Sequence, residues 1–404
     1  MEEQAFDGLK VLDFSRVIAG PLATECLAQL GAVVVRAESS ASLDTLRISA
    51  PYKDGKVGVD RSGYFAAYNA NKYSMSLDLK HPQAMKVVRR LVRWCDVLVE
   101  NFRPGIMEKF GLAYQDLRKI KPDLIMLSTS NQGQTGTQAT TPGYGFTLCA
   151  LGGLTNLTGW SDRGPCHPFG AFSDYITPWL SLAALIAALE YRRRTGKGQF
   201  LDVSQYECGL FPLSPILLDY AVNEHEFSRQ GNRCSYAAPH EAYPCRGEDS
   251  WCVIAVESEP EWLAFCRAIG KPELAADARF CCLEKRKANE DELDNVVADW
   301  TRPRTAEEVM EVLQREGVAA GVVQNAADLF DDPQLRHRKH FQTLEHSEIG
   351  RHSYEMPAFR LSQTPARLRA AAPCLGQHNE YVCKELLGIS DDEFVQLLND
   401  GVLT

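Results

Sequence analysis

Short apolar runs alternate with amphipathic stretches along the first half of the chain. Lys10–Phe14, Val33–Ala37, Val97–Glu100 and Leu124–Leu127 are dense in valine, leucine and isoleucine, which predicts buried strands. Between them, Leu22–Leu30 and Gln83–Trp94 carry apolar residues at helical spacing. Asn71–Leu79 reads as a further strand, and 39–62 and 128–143 as loops. Strand, helix and strand in succession imply right-handed crossovers and a mostly parallel α/β sheet with helices on both faces.

The longest apolar stretch is Phe172–Ser204, FSDYITPWLSLAALIAALEYRRRTGKGQFLDVS. Thr177 is placed to cap a helix and Pro178 to occupy its first position. Arg192, Arg193 and Arg194 fill the last turn, Gly196 ends it, and Gln199–Val203 follows as a strand. The helix reads as a buried core element, too short and interrupted to span a bilayer. Asp174 lies just ahead of it, either as a structural cap or as a positioned carboxylate, and the local sequence alone favours the cap.

Beyond Ser204 the pattern changes. Gln205–Val222 reads as a helix and 223–235 as a linker. Ala242–Cys245 and Trp251–Val256 bracket a hairpin turn. Helices Pro260–Ile269, Asp291–Thr301 and Thr305–Glu316 and a strand Val318–Val323 follow. Residues 225–335 thus form a smaller α+β domain. The tail supplies strands at Phe341–Arg351 and Tyr354–Phe359, then helices at Asn379–Leu387 and Asp391–Gly401 with Asp391 as cap. It is too small to fold alone, so it joins residues 1–222 as 336–404 of the large domain.

A length of 404 residues suits two domains. The net charge of −10 argues against nucleic acid as a partner. The 13 cysteines are odd in number and show no CxxC spacing, so they read as reduced thiols in a cytoplasmic protein. The segment MEEQAFDGLKVLDF has no apolar leader, and the histidines show no metal spacing.

Three features carry candidate chemistry. Asp174 could attack an acyl thioester as a nucleophile, given a partly dry site and donors for the oxyanion. Arg36, Lys72, Lys80, Asn101, Arg103 and Lys109 lie at strand ends, where a phosphorylated ligand would meet them; each alone also reads as solvated surface charge. The loop Asn101-Phe102-Arg103-Pro104-Gly105 directly follows a buried strand. The glycine fingerprint of dinucleotide sites is absent. His240 opens the hairpin of the small domain, where a lone histidine is more often structural than catalytic.

The segments VLDFSRVIAGPLAT, LGAVVVRAE, NKYSMSLDLKHP, VENFRPG, SDY, ALIAALEYRRRTGKGQFLDVS, DDPQLRHR and LGQHNEYV, in this order, resemble the class III CoA-transferases. That group also holds the alpha-methylacyl-CoA racemases. The resemblance implies a Rossmann-like large domain built from both chain ends, a smaller inserted domain and an interlocked, ring-like dimer. It implies Asp174 as the nucleophile, passing through anhydride and aspartyl-CoA stages. Positions matching the CoA contacts are Ile18, Ala19, Leu77, Lys80, Asn101, Phe102, Arg103, Lys109 and Tyr144, with Arg16 and His240 as substrate-binding candidates. Coenzyme A thioesters enter as substrate, with no permanently bound cofactor and no metal.

The chain departs from the pattern at Ser39, where formyl-CoA transferase has an arginine whose part Arg36 or Arg47 would take, and at Gly145, where many members carry an acid. Tyr144 stands where the racemases have histidine, which leaves a racemase or epimerase as the alternative. Within the family the chain looks most like succinyl-CoA:benzylsuccinate CoA-transferase subunits. Its partner is then a second copy or a paralogous subunit, and a non-catalytic CoA-binding subunit is a further alternative.

Overall fold

The computed structural model describes residues 3–403. They divide into two compact units, one of 3–155, 167–226 and 334–403, the other of 156–166 and 227–333. The second unit thus includes 156–166, a segment that the sequence pattern leaves in the large domain.

In the first unit six strands form one parallel sheet. They are β1 (Lys10–Asp13), β2 (Val33–Glu38), β3 (Tyr73–Ser76), β4 (Val97–Glu100), β5 (Ile125–Ser130) and β6 (Phe200–Ser204), in the order β3-β2-β1-β4-β5-β6. Every pairing is parallel. The order reverses direction between β1 and β4, the switch point where open α/β sheets bind ligands.

The density of apolar residues in these strands has a direct cause. Alternate side chains point to opposite faces, and both faces are covered. Val11, Val34, Val97, Val99, Ile125 and Leu127 enter one core, against helix α1 (Ala19–Gln29) and the long helix Phe172–Thr195. Leu12, Val35, Leu98 and Met126 enter the other, against Val87, Val88, Leu91 and Val92 of α2 (Ala84–Trp94). The tail closes this second core with Val382, Phe394 and Leu397, which ties the end of the chain to its beginning. Truncating a central residue such as Leu98 to alanine costs about 2–5 kcal/mol.

After α3 (Gly145–Leu151), the long apolar helix α4 spans Phe172–Thr195, more than a turn longer at its start than the sequence predicts. Thr177 does not cap it; its hydroxyl donates to the Ser173 carbonyl inside the helix at 2.7 Å. Pro178 sits within the helix, and its missing N–H leaves the Asp174 carbonyl without the usual intrahelical donor. Asp174 is therefore in the first turn of α4, not ahead of it. By length and composition α4 could cross a membrane, contrary to the sequence expectation, but Leu182, Leu185 and Ala188 pack into the sheet's core. Gly196 ends it at φ 70°, donating to the Arg192 carbonyl, and Arg192 pairs with Asp96 and Asp123. A side chain at Gly198 would collide with the Leu124 carbonyl, so only glycine lets β6 approach β5.

Other boundaries move for local reasons. The stretch after β6 breaks at Pro212 into α5 (Gln205–Leu210) and α6 (Ser214–Asn223). The tail strands form one hairpin, Phe341–His346 with Gly350–Glu355. Ser390, not Asp391, caps the last helix by accepting from the Glu393 N–H. In the second unit β7 (His240–Pro244), β8 (Trp251–Ala255) and β9 (Ala319–Val322) form an antiparallel sheet. Its helices pack Trp262, Phe265, Leu293, Val297, Val309 and Leu313 into a separate core.

Candidate active site

The first unit carries a cleft of ≈ 350 Å³ beyond the carboxyl ends of β1, β4 and β5. Four segments wall it: Val17–Ala19 after β1, Asn101–Pro104 after β4, the β5 end with its loop from Ser130 to Gly145, and Gln205 after β6. Asp174 looks in from the first turn of α4.

Asp174 is only 8 % exposed, and among the described residues no hydrogen-bond donor reaches its carboxylate. Burial alone pushes its pKa up to about 7. A carboxylate stripped of water and donors is a stronger nucleophile than a solvated one. Its neighbour above is Gly145, where an added Cβ would lie 2.7 Å from the Asp174 Oδ1 and 2.6 Å from the Ala171 Cβ. The chain has glycine here because the carboxylate fills the space a side chain would need.

The β1 loop is held by two devices. Asn101 clamps the Arg16 backbone, accepting from its N–H at 2.8 Å and donating to its carbonyl at 2.7 Å. Val17 has φ 64°, a left-handed conformation that is strained for a β-branched residue. Its N–H donates to the Asp44 carboxylate at 3.0 Å, and Asp44 is fully buried. Together they set the start of α1 at the cleft, with Ile18 and Ala19 lining it.

The predicted site residues separate into groups. Asp174, Ile18, Ala19, Asn101, Phe102, Arg103 and Tyr144 line the one cleft. Arg103 is exposed and donates to the Thr140 carbonyl at 3.0 Å, and Tyr144 stands at the rim, 70 % exposed. Arg16, Leu77, Lys80 and Lys109 are not among the lining residues. The Arg16 guanidinium lies 5.7 Å from the Phe102 ring centroid, and Leu77 is packed in the core under α2. Lys80 and Lys109 are exposed. His240 belongs to the second unit, on the rim of a pocket over β8 and β9, with Nδ1 2.5 Å from the Asn232 carbonyl oxygen.

Arg36, Arg47 and Lys72 are not free for a phosphate. Arg36 pairs with Asp44 at 2.5 Å, Arg47 with Glu38 and Asp60 at 2.5 Å each, and Lys72 with Asp13 at 3.2 Å. All three cations are buried, so neither Arg36 nor Arg47 replaces the arginine missing at Ser39. Ser130, Asn131 and Gln205 line the cleft without having been singled out. Their position at or just past the ends of β5 and β6 was the available signal. Asn131 donates to the Gly143 carbonyl at 2.8 Å and so closes its own loop.

A doubly wound parallel sheet with a cleft at its switch point and a desolvated carboxylate inside it defines an α/β protein with a ligand site of its own. The chain belongs to CoA-transferase family III, whose model matches residues 6–379, and is a CoA-transferase. It is similar to the succinyl-CoA–D-citramalate CoA-transferase of Chloroflexus aurantiacus, 32% identical over 97% of this chain and 96% of that one. The succinyl-CoA:glutarate CoA-transferase of Homo sapiens is 30% identical, over 98% of this chain and 89% of its own. Among solved structures, a CAIB/BAIF family protein from Brucella suis superposes with a TM-score of 0.86 at 31% identity, covering 95% of this chain and 100% of that one.

Proposed function

We propose that this enzyme moves CoA from succinyl-CoA to a dicarboxylic acid of the succinate type, with Asp174 as the covalent nucleophile. The observation that carries the reading is the donor-free, buried carboxylate facing the cleft. The names of the relatives support the donor and the dicarboxylate class. An aryl-substituted succinate such as benzylsuccinate is one acceptor of this class.

The exchange runs in four balanced steps. The Asp174 carboxylate attacks the thioester carbonyl, and the CoA thiolate leaves a mixed anhydride. The thiolate then attacks the aspartyl carbonyl and releases the donor acid as carboxylate. The acceptor carboxylate attacks the aspartyl thioester, forming a second anhydride and freeing the thiolate. Attack of the thiolate on the acceptor's carbonyl gives the new CoA ester and restores Asp174. No net proton or electron is consumed. Each anhydride splits one exchange between poor partners into easier ones. In this reading the first-turn amides of α1 and the Arg103 side chain hold the anionic groups of the CoA thioester.

The test is to add hydroxylamine to protein and succinyl-CoA and map the modified residue by mass spectrometry. Label on Asp174 supports the reading; turnover with label absent from Asp174 overturns it. Benzylsuccinate, malate and glutarate offered in parallel rank the acceptors.

The working assembly in this proposal is an interlocked dimer, with a second copy or a paralogous subunit. It draws support from α6, no residue of which is buried and on which Leu217, Leu218, Tyr220 and Val222 are exposed. Sedimentation of the isolated chain distinguishes a homodimer from a monomer awaiting a paralogue.

A further inference from the structure

Two buried polar side chains share the cleft with Asp174 and lack a partner in the protein. Ser130 is the last residue of β5 and 4 % exposed, and among the described residues nothing hydrogen-bonds its Oγ. Gln205 opens α5 and is 7 % exposed, and no described residue hydrogen-bonds its side-chain amide. Both line the cleft wall together with Asp174. The fold sets them side by side. Ser130 pairs in register with Ser204 of β6, so Gln205 leaves the sheet next to it. The Tyr206 N–H donates to the Asn131 carbonyl at 2.8 Å, which ties the start of α5 to the loop after β5. Gln205 and Gly209 lie one turn apart on the same face of α5. A Cβ at Gly209 would lie 3.7 Å from the Ser173 Cβ, so that face packs on the first turn of α4.

The other polar side chains of the wall are committed elsewhere. Asn101 is bonded in both directions to the Arg16 backbone. Asn131 donates to the Gly143 carbonyl, and the Thr141 hydroxyl donates to the Gln138 side-chain oxygen at 2.7 Å. Arg103 is exposed and reaches the Thr140 carbonyl, and Tyr144 stands at the rim. A polar side chain buried for structural reasons is normally satisfied by its neighbours. Two adjacent ones that are not, on the wall that holds the carboxylate, point to a group of the bound substrate as the missing partner.

We propose that the Ser130 hydroxyl and the Gln205 side-chain amide donate to the carbonyl oxygen of the acyl group under attack and so stabilise the tetrahedral oxyanion of each transfer. The inference rests on the reading of Asp174 as the nucleophile. When an Asp174 oxygen bonds to the thioester carbon, the carbonyl electron pair moves onto its oxygen. Collapse then restores the carbonyl and expels the CoA thiolate. The oxygen carries its full charge only in between, so donors fixed around that position act on the transition state more than on the ground state. Neutral donors suit this place. A fixed cation would pair with the Asp174 carboxylate and stabilise it before attack, whereas a hydroxyl and an amide leave the nucleophile uncompensated.

The experiment follows isotope exchange between labelled succinate and succinyl-CoA, which needs no other acceptor. Ser130→Ala removes the hydroxyl, and Gln205→Met keeps the length of the side chain and removes its donors. In each protein kcat falls about 10²-fold, the size expected for one lost oxyanion donor, while KM for succinyl-CoA stays within about threefold. Ser130→Ala melts no lower than the unaltered protein, because no hydrogen bond within the protein is lost. A kcat within about threefold of the unaltered value in either folded variant overturns the pair. So does a loss confined to KM, the mark of a ground-state contact. A packing role gives a lower melt with kcat unchanged, which also overturns it. If one variant fails to fold, judged by its thermal melt, the other carries the test. Failure of the underlying reading shows separately, as turnover with the hydroxylamine label absent from Asp174 in the unaltered protein.

Discussion

The first unit buries carboxylates in two contrasting ways. Around the ends of β1 and β2, Asp13, Glu38 and Asp44 are buried among Arg36, Arg47 and Lys72, with hydrogen bonds from Ser15, Thr24 and the Val17 and Leu46 amides. In the cleft, Asp174 is almost as deeply buried and has neither cation nor donor among the described residues. Burial acts on both to disfavour charge. For Asp13 the charges of Lys72 and Arg36 outweigh it, and its carboxyl is held below the usual range. For Asp174 nothing opposes it, and its carboxyl is pushed up to about 7. One low-dielectric unit thus makes a rigid scaffold where charges are matched and a reactive group where a charge is left alone.

The largest effect tests the unmatched side. Asp174→Asn keeps the shape of the site and removes the proposed nucleophile, so transfer is expected to fall on the order of 10³-fold or more, measured as acyl-CoA exchange. Retained transfer would break the contrast at its centre.

Next comes the matched side. Arg36→Met leaves Asp44 buried without its cation, and removing one partner of a buried pair costs about 3–5 kcal/mol. Thermal or urea unfolding reads this directly. Adding Asp44→Asn to the same protein recovers part of the loss, because the unpaired charge is then gone.

A smaller effect is expected at Gly145. In Gly145→Ala the new methyl meets the Asp174 carboxylate at 2.7 Å and one of the two must shift. Displacements near 1 Å at a reacting centre cost up to about 10²-fold, so kcat/KM falls by roughly 10–100-fold. The loss appears in kcat more than in KM for the CoA ester, because the start of α1 is untouched. A variant with full kcat would show that the carboxylate has more room than its packing implies.

Much of this contrast was legible in the sequence, and part was not. The parallel sheet follows from runs such as VLVE and VVVRAE, because strands covered on both faces have no polar side to show. Several of the cleft residues follow from position, since Asn101–Arg103 come straight after a buried strand. The fate of Arg36, Arg47 and Lys72 was not visible: a cation near a strand end looks the same whether it faces a phosphate or a carboxylate that the fold brings to it from 8 to 59 residues away. The start of α4 was missed because Thr-Pro is a common helix start, and nothing local announces that the helix already began at Phe172.

The smallest effect sets the two carboxylate environments against each other by pH. A carboxyl whose folded pKa is raised to about 7 keeps its proton on folding, so the native state binds more protons than the unfolded chain between about pH 4 and pH 7. Stability due to Asp174 is full below the ordinary carboxyl range, is lost as pH rises toward 7, and stays lost above it. Asp174→Asn is therefore more stable than the unaltered protein at pH 8, by about 1–3 kcal/mol, and the gap closes toward pH 4. Asp13 has the opposite sign: its folded pKa is depressed, so its contribution is present above the ordinary range and is lost as pH falls below it. In the proposed mechanism the same ionisation of Asp174 sets activity, so kcat/KM is expected to fall about tenfold per unit below pH 7 and to level off above it. Melting curves and rates across this range should share one inflection. An activity inflection near pH 4 with no stability gain in Asp174→Asn would mean that a donor reaches the carboxylate, and the distinction between the two buried sites would collapse.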